Sequence, residues 1–254
     1  MTVLQRIENK IYPITTIILL LVVWQFVVVF WHIPKFILPS PIKVIQALMV
    51  NFPVILDHTE VTLLESVIGF NISILLAFLL SILMDNYPII KKSIYPLMIV
   101  SQTVPTIAIT PIIMIWFGFG MLPKVLLIVL VCFFPIAVSL VDGFEKVDRE
   151  YMNLFKTMKA NKLQTFLHLK LPYAMVHFFS GLKIAATYMV MTTIISEWQG
   201  GVKGIGVYMV RAKSAYALDQ LFASILVIVI ISLIFIYLVE LCSKKVTHWK
   251  QRGV

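Results

Sequence analysis

Charge is what this chain has least of. Only 13% of its 254 residues are Asp, Glu, Lys or Arg, against 60% hydrophobic ones, and the mean hydropathy is +0.97. An average soluble domain carries about 25% charged residues. A soluble globule of this size would lack the polar side chains to cover its exterior, and a disordered chain would be far less apolar. What remains is an integral membrane protein. Cysteine is nearly absent: Cys132 and Cys242 lie inside or at the end of apolar runs, without metal-ligand spacing, and read as small buried hydrophobes. The five histidines are scattered, with no His-x-x-x-His or Glu-flanked pair for a metal. No Gly-x-Ser-x-Gly elbow and no Gly-x-x-x-x-Gly-Lys-Ser/Thr loop occurs, and the glycines between Gly200 and Gly206 resemble a phosphate loop only loosely. The chain therefore carries no visible energy source of its own.

Acidic residues are fewer than basic ones, 12 against 21, for a net charge of +9. No basic stripe is interleaved with polar, groove-reading residues, which argues against nucleic acid. In so apolar a chain the excess sets membrane orientation instead.

What is present is a series of long charge-free runs. About 20 apolar residues cross the hydrocarbon core. By that measure, the expected architecture is all-α, with six spans near 11–34, 66–84, 93–116, 124–142, 172–196 and 220–241. The first is too long, and lacks the small-residue cleavage site, for a removable signal peptide. Fourteen Lys and Arg fall on one side, at the N-terminus (Arg6, Lys10), after the second span (Lys91, Lys92), in segment 145–171 and in the tail (Lys244, Lys245, Lys250, Arg252). Six fall on the other: Lys35, Lys43, Lys124, Lys203, Arg211 and Lys213. Both termini are expected in the cytoplasm.

The third run is the least ordinary. Ser101-Gln102-Thr103-Val104-Pro105-Thr106 puts polar side chains and a proline at mid-membrane. Proline frees a carbonyl that lipid cannot satisfy, so such a break belongs inside protein or beside a wet cavity. Two readings stand: a kinked structural helix, or a solute path lined by Gln102, Thr103, Pro105 and Thr106. Glu197 and Trp198 close the fifth span in a polar, glycine-rich outer mouth, either as a gate or as a helix end. Glu65 and Asp142 read as interfacial, and Lys183 as snorkelling to the cytoplasmic face.

Segment 145–171 is the largest cytoplasmic stretch. Tyr151, Phe155 and Met158 form one helical stripe and Leu163, Phe166 and Leu167 a second, separated by Lys159-Ala160-Asn161-Lys162. Two short amphipathic helices follow, serving either the membrane surface or a soluble partner. Phe155 and Met158 would be the anchors, with Lys156 and Lys159 at the rim.

This loop resembles the "EAA" coupling loop of permease subunits of ABC importers. Glu150 to Asn161 occupies the position of the motif, with Asn153-Leu154-Phe155 where Glu-Ala-Ala is found in the family and Lys159 where Gly is found. Leu169-Lys170-Leu171-Pro172 and Gly181-Leu182-Lys183-Ile184-Ala185 follow as the family pattern has them. Leu38-Pro39-Ser40-Pro41, Gln102 to Pro111 and Trp116-Phe117-Gly118-Phe119-Gly120 resemble the branch serving nitrate, sulfonates, taurine and thiamine precursors. Thr62 to Glu65, Ser196 to Gly201 and Tyr208 to Lys213 are most similar to permeases for hydroxymethylpyrimidine.

The resemblance, covering residues 35–245, implies a single MetI-like permease domain over 1–254, multi-pass in a bacterial cytoplasmic membrane and not itself an enzyme. It implies a coupling site of Glu150, Asn153, Phe155, Lys156, Met158, Lys159, Ala160, Asn161, Leu171 and Pro172. Its partners would be a pair of ATPase subunits, an extracytoplasmic binding protein and a second permease, the last a second copy of this chain. No cofactor is expected on this chain, since ATP would be used by the ATPase. The cargo would be a thiamine pyrimidine precursor or, alternatively, a sulfonate, nitrate, taurine or riboflavin. A passive channel and an intramembrane enzyme are the other classes considered.

Overall fold

The computed structural model describes residues 3–248, with side chains from residue 11 onward. Four basic residues of the orientation count, Arg6, Lys10, Lys250 and Arg252, have side chains outside the described residues. The described chain is helical: α1 (Val3–Phe30), α2 (Pro41–Val50), α3 (Phe52–Asn86), α4 (Pro88–Ser101), α5 (Thr106–Phe117), α6 (Met121–Glu145), α7 (Arg149–Thr157), α8 (Lys162–Thr165), α9 (Leu171–Gly200), α10 (Ile205–Ser214) and α11 (Leu218–Val246). A π-helical turn, Phe166–Lys170, joins α8 to α9. Five of these helices are long and apolar enough to cross a membrane, and six spans result if the bent pair α4–α5 counts as one.

Several expected spans are extended or broken. The second expected span, 66–84, is the inner part of a 35-residue helix that already begins at Phe52. At 1.5 Å per residue such a helix measures roughly 50 Å and outreaches the ~30 Å hydrocarbon layer. The third, 93–116, is two helices at 105° to one another. Pro105 supplies no N–H, and Val104 turns instead to the Ser101 carbonyl at 3.3 Å. The segment between the first two spans contains α2, begun by Pro41 at its first turn.

The chain forms two compact units. The first comprises residues 1–58 and 208–227. Its core gathers Val44, Ala47, Ile55, Tyr208 and Ala223, with Trp24, Leu48 and Phe222 against them. Tyr208 donates to Gln220 Oε1 at 3.1 Å. Burial, with Asp219 nearby, raises the Tyr208 phenol above its usual range and keeps it a donor.

The second unit comprises 59–207 and 228–254. Its axis is the α6–α9 pair, which packs through small residues. A Cβ at Gly181 would lie 2.5 Å from the Pro135 carbonyl, and one at Gly143 would lie 2.9 Å from the Ala174 Cα. Close backbone approach of this kind replaces the hydrophobic drive that lipid cannot supply between helices. Interhelical hydrogen bonds add to it: Ser81 to the Ala137 carbonyl at 3.1 Å, and Ser66 with Thr193 at 2.8 Å.

Candidate functional site

Three places in the second unit carry polar chemistry: the break between α4 and α5, a buried cluster around Glu197, and the loop between α6 and α9.

At the break lies a cavity of about 210 Å³. Ser101, Gln102, Val104 and Thr106 line it from the break, Phe134 and Pro135 from α6, and Tyr188 and Thr192 from α9. Gln102 and Thr106, two of the sequence-derived path residues, therefore face one space. Thr103 and Pro105 do not line it; the Thr103 hydroxyl donates to the Val100 carbonyl at 2.7 Å. Among the described residues, no charged one lines the cavity. The α6 and α9 contributions were not singled out from the sequence, since an aromatic or threonine inside a long apolar run carries no mark of which helix it will face.

Glu197 and Trp198, adjacent in sequence, part company. Trp198 is half-exposed, whereas Glu197 is 1% exposed. The Glu197 carboxylate accepts from the Thr62 hydroxyl at 2.7 Å and from the Gly206 N–H at 2.6 Å. Thr62 in turn accepts from the Ile205 N–H at 2.8 Å. The first amides of α10, which have no intrahelical partner, are thus satisfied by α3 and α9, and a carboxylate stands at the positive end of that helix. Gly204 makes the turn possible: its φ is +134°, and a Cβ there would run into the Glu197 carboxylate. Beside this latch, Lys124 donates to Glu65 Oε1 at 2.6 Å, and both side chains are about 95% buried. Glu65, read from sequence as interfacial, and Lys124, read as a loop charge, are thus buried in protein and paired with each other. The early start of α3 places Glu65 mid-helix. Lys183 pairs with Glu240 at 3.9 Å, and Asp142 accepts from Tyr95 at 3.1 Å.

The loop has the expected helix–break–helix form. Asp148 caps α7 through the Glu150 N–H at 3.0 Å, and Asn161 with Gln164 forms a capping box on α8. Between them, Lys159 has φ +55°. Its N–H donates to the Lys156 carbonyl, and the Ala160 N–H to the Phe155 carbonyl, each at 3.0 Å. This is a Schellman cap whose left-handed position favours glycine. Lys159, which stands where the resembled motif has Gly, thus takes a conformation that glycine adopts without strain. The exposed apolar face differs from the sequence stripe: Tyr151, Leu154 and Met158 point outward, while Phe155 is half-buried. Glu150, Asn153, Lys156, Lys159 and Asn161 are exposed, and Ala160, Leu171 and Pro172 half-buried. Lys170 is fastened to Asp85 of α3 at 2.8 Å. From Lys162 to Gly200 the chain is continuous helix, so the loop, the cavity wall at Tyr188 and the Glu197 latch share one rod.

A model of the family described as "Binding-protein-dependent transport system inner membrane component" matches residues 69–248. The chain belongs to this family. The permease is 32% identical to a "Probable ABC transporter permease protein" of Haemophilus influenzae, over 90% of the chain and 93% of that protein. It is 31% identical to the formylaminopyrimidine transport permease protein of Halalkalibacterium halodurans, over 98% of the chain and the whole of that protein. A riboflavin transport system permease protein of Chloroflexus aurantiacus is 28% identical, over 97% of the chain and 93% of that protein. Among solved structures, the membrane chain of the MetNI methionine ABC transporter in an inward-facing form superposes with a TM-score of 0.60 at 15% identity, over 76% of this chain and 94% of that one. The fold is that of MetI-type permeases. The protein is accordingly a multi-pass inner-membrane component of an ABC importer. It works with a solute-binding protein and a separate ATPase subunit that uses the ATP, and is neither an enzyme nor a cofactor carrier itself.

Proposed function

We propose that this permease imports a thiamine pyrimidine precursor, working as two copies of the chain with both termini in the cytoplasm. The break in the charge-free third span, beside a cavity lined in part by polar side chains, is the observation that carries the reading: a solute path needs polar groups where a span is broken. Full-length similarity to a formylaminopyrimidine permease favours a pyrimidine over the riboflavin, sulfonate and taurine that other relatives' names specify. A cavity open on one side needs a second wall, which a second copy would provide. ATPase closure would move α7 and α8, and the helix running from Lys162 to Gly200 would carry that movement to the cavity and the outer latch. ATP favours one orientation only through its differential affinity for the two states.

The test is ATP-driven uptake of radiolabelled hydroxymethylpyrimidine into vesicles carrying the permease, its ATPase and its binding protein. Uptake is expected with the pyrimidine and not with taurine. A complex that accumulates taurine and leaves the pyrimidine outside overturns the cargo assignment.

A further inference from the structure

The cavity at the α4–α5 break has properties that select among solutes by themselves. It is lined by Ser101, Gln102, Thr106 and Thr192, by the rings of Phe134 and Tyr188, and, among the described residues, by no Asp, Glu, His, Lys or Arg. The lysines buried or half-buried in the described membrane helices are engaged elsewhere: Lys124 with Glu65 at 2.6 Å, Lys183 with Glu240 at 3.9 Å, Lys170 with Asp85 at 2.8 Å, and Lys91 with Glu145. An anionic solute would find no counter-charge, and an unpaired ion away from water is strongly disfavoured. Size is the second consideration. An enclosed cavity of about 150 Å³ accepts benzene; the space of about 210 Å³ here, open on one side, suffices for one six-membered ring with a few small substituents.

Chemistry is the third. The Gln102 carboxamide is exposed and makes no hydrogen bond among the described residues. It presents a donor and an acceptor side by side, the complement of an amino group next to a ring nitrogen. Phe134 packs edge-on against Phe133, with centroids 5.1 Å apart. It and Tyr188 offer aromatic surface against which a flat ring can stack.

We infer that this cavity is a binding site within the permease for an uncharged, single-ring heteroaromatic solute, stacked on Phe134 and Tyr188 and read at its edge by Gln102. This rests on the importer reading above and deepens it, because it places a second selectivity step in the membrane component, after the binding protein. Tyr188 and Thr192 stand on the helix that begins at the coupling loop, so the site would be remodelled when the loop moves.

The experiment is equilibrium binding of tritiated hydroxymethylpyrimidine to the permease–ATPase complex in nanodiscs, without the binding protein, beside uptake by the same complex with it. Saturable binding is expected, displaced by unlabelled pyrimidine but not by taurine or riboflavin. Tyr188→Ala and Gln102→Leu should each weaken it at least tenfold, and Tyr188→Phe should restore it. If uptake proceeds while the isolated complex shows no saturable binding, or if the variants bind as the unmodified protein does, the site is elsewhere and the inference fails alone. If taurine displaces the label, the charge argument is overturned. If the complex with its binding protein takes up no pyrimidine at all, the importer reading for that cargo fails, and the inference with it.

Discussion

Glu65 and Lys124 illustrate how a charge pair can sit in a membrane helix bundle. The pair is almost wholly removed from solvent, and Glu65 Oε2 has no hydrogen-bond partner among the described residues. Removing one member leaves the other uncompensated, which typically costs about 3–5 kcal/mol, whereas exchanging both for apolar residues of similar size is often near neutral. Lys124→Met alone should therefore lower the melting temperature of the detergent-solubilised permease sharply, and Glu65→Leu/Lys124→Met should recover most of the loss. A double variant no more stable than the single one would mean the pair is not coupled. Glu197 belongs to the same neighbourhood, and its carboxylate accepts from the Thr62 hydroxyl and the Gly206 N–H. With two donors on its carboxylate, Glu197→Gln turns an NH₂ toward Thr62 or the Gly206 N–H and should cost about 1–3 kcal/mol. That loss should appear as reduced membrane abundance and thermal stability before any change in transport. Normal stability with lost uptake would assign Glu197 to the gate that the sequence equally allowed.

If the loop between α6 and α9 is the docking element, the face it offers differs in part from the stripe that the sequence picks out. Helical spacing picked out Tyr151, Phe155 and Met158, yet α7 turns Phe155 partly toward its own chain and presents Tyr151, Leu154 and Met158. Aromatic anchors dominate such interfaces and typically contribute 2 kcal/mol or more, while rim charges contribute little. Tyr151→Ala and Leu154→Ala should each reduce co-purification of the ATPase several-fold, and Lys156→Ala should barely alter it. Retention of the ATPase by a Tyr151→Ala/Leu154→Ala/Met158→Ala protein would move the docking site off this face. The cap after α7 permits a separate test. A non-glycine residue in the left-handed region costs about 1–2 kcal/mol, part of which glycine's greater freedom in the unfolded chain takes back. Lys159→Gly should thus stabilise the loop by about 0.5–1 kcal/mol, read as several-fold slower amide exchange across α7. Helices α1 and α10 also end on left-handed non-glycine residues, His32 and Tyr216, in a chain with only 10 glycines.

On the scale of the whole molecule, orientation follows from where basic residues fall, and structure thins the evidence on one side: Lys124 is withdrawn into a buried pair. Lys91 pairs with Glu145 and Lys170 with Asp85, which tie neighbouring segments together. Single cysteines test the arrangement in intact cells with a membrane-impermeant thiol reagent. In a Cys242→Ser background, Val202→Cys, at 78% exposure, should be labelled from outside and Lys92→Cys should not. Labelling at position 92 would invert the topology.

Membrane class, helical fold and the rough position of each span were legible in the chain because hydrophobic runs and charge placement are local quantities, set by the bilayer and independent of neighbours. The break at Gln102–Pro105 was legible for the same reason: proline removes an N–H wherever it stands. What the rest of the cavity is made of was not legible, because Phe134, Tyr188 and Thr192 sit in runs that are apolar all round, where periodicity does not say which face meets another helix. Glu65 and Lys124 are 59 residues apart in sequence, and Thr62 and Glu197 are 135 apart. Only the close approach of α3, α6 and α9, through residues as small as Gly181, brings Glu65 and Lys124 together as a buried pair and sets Glu197 against Thr62 and the Gly206 N–H.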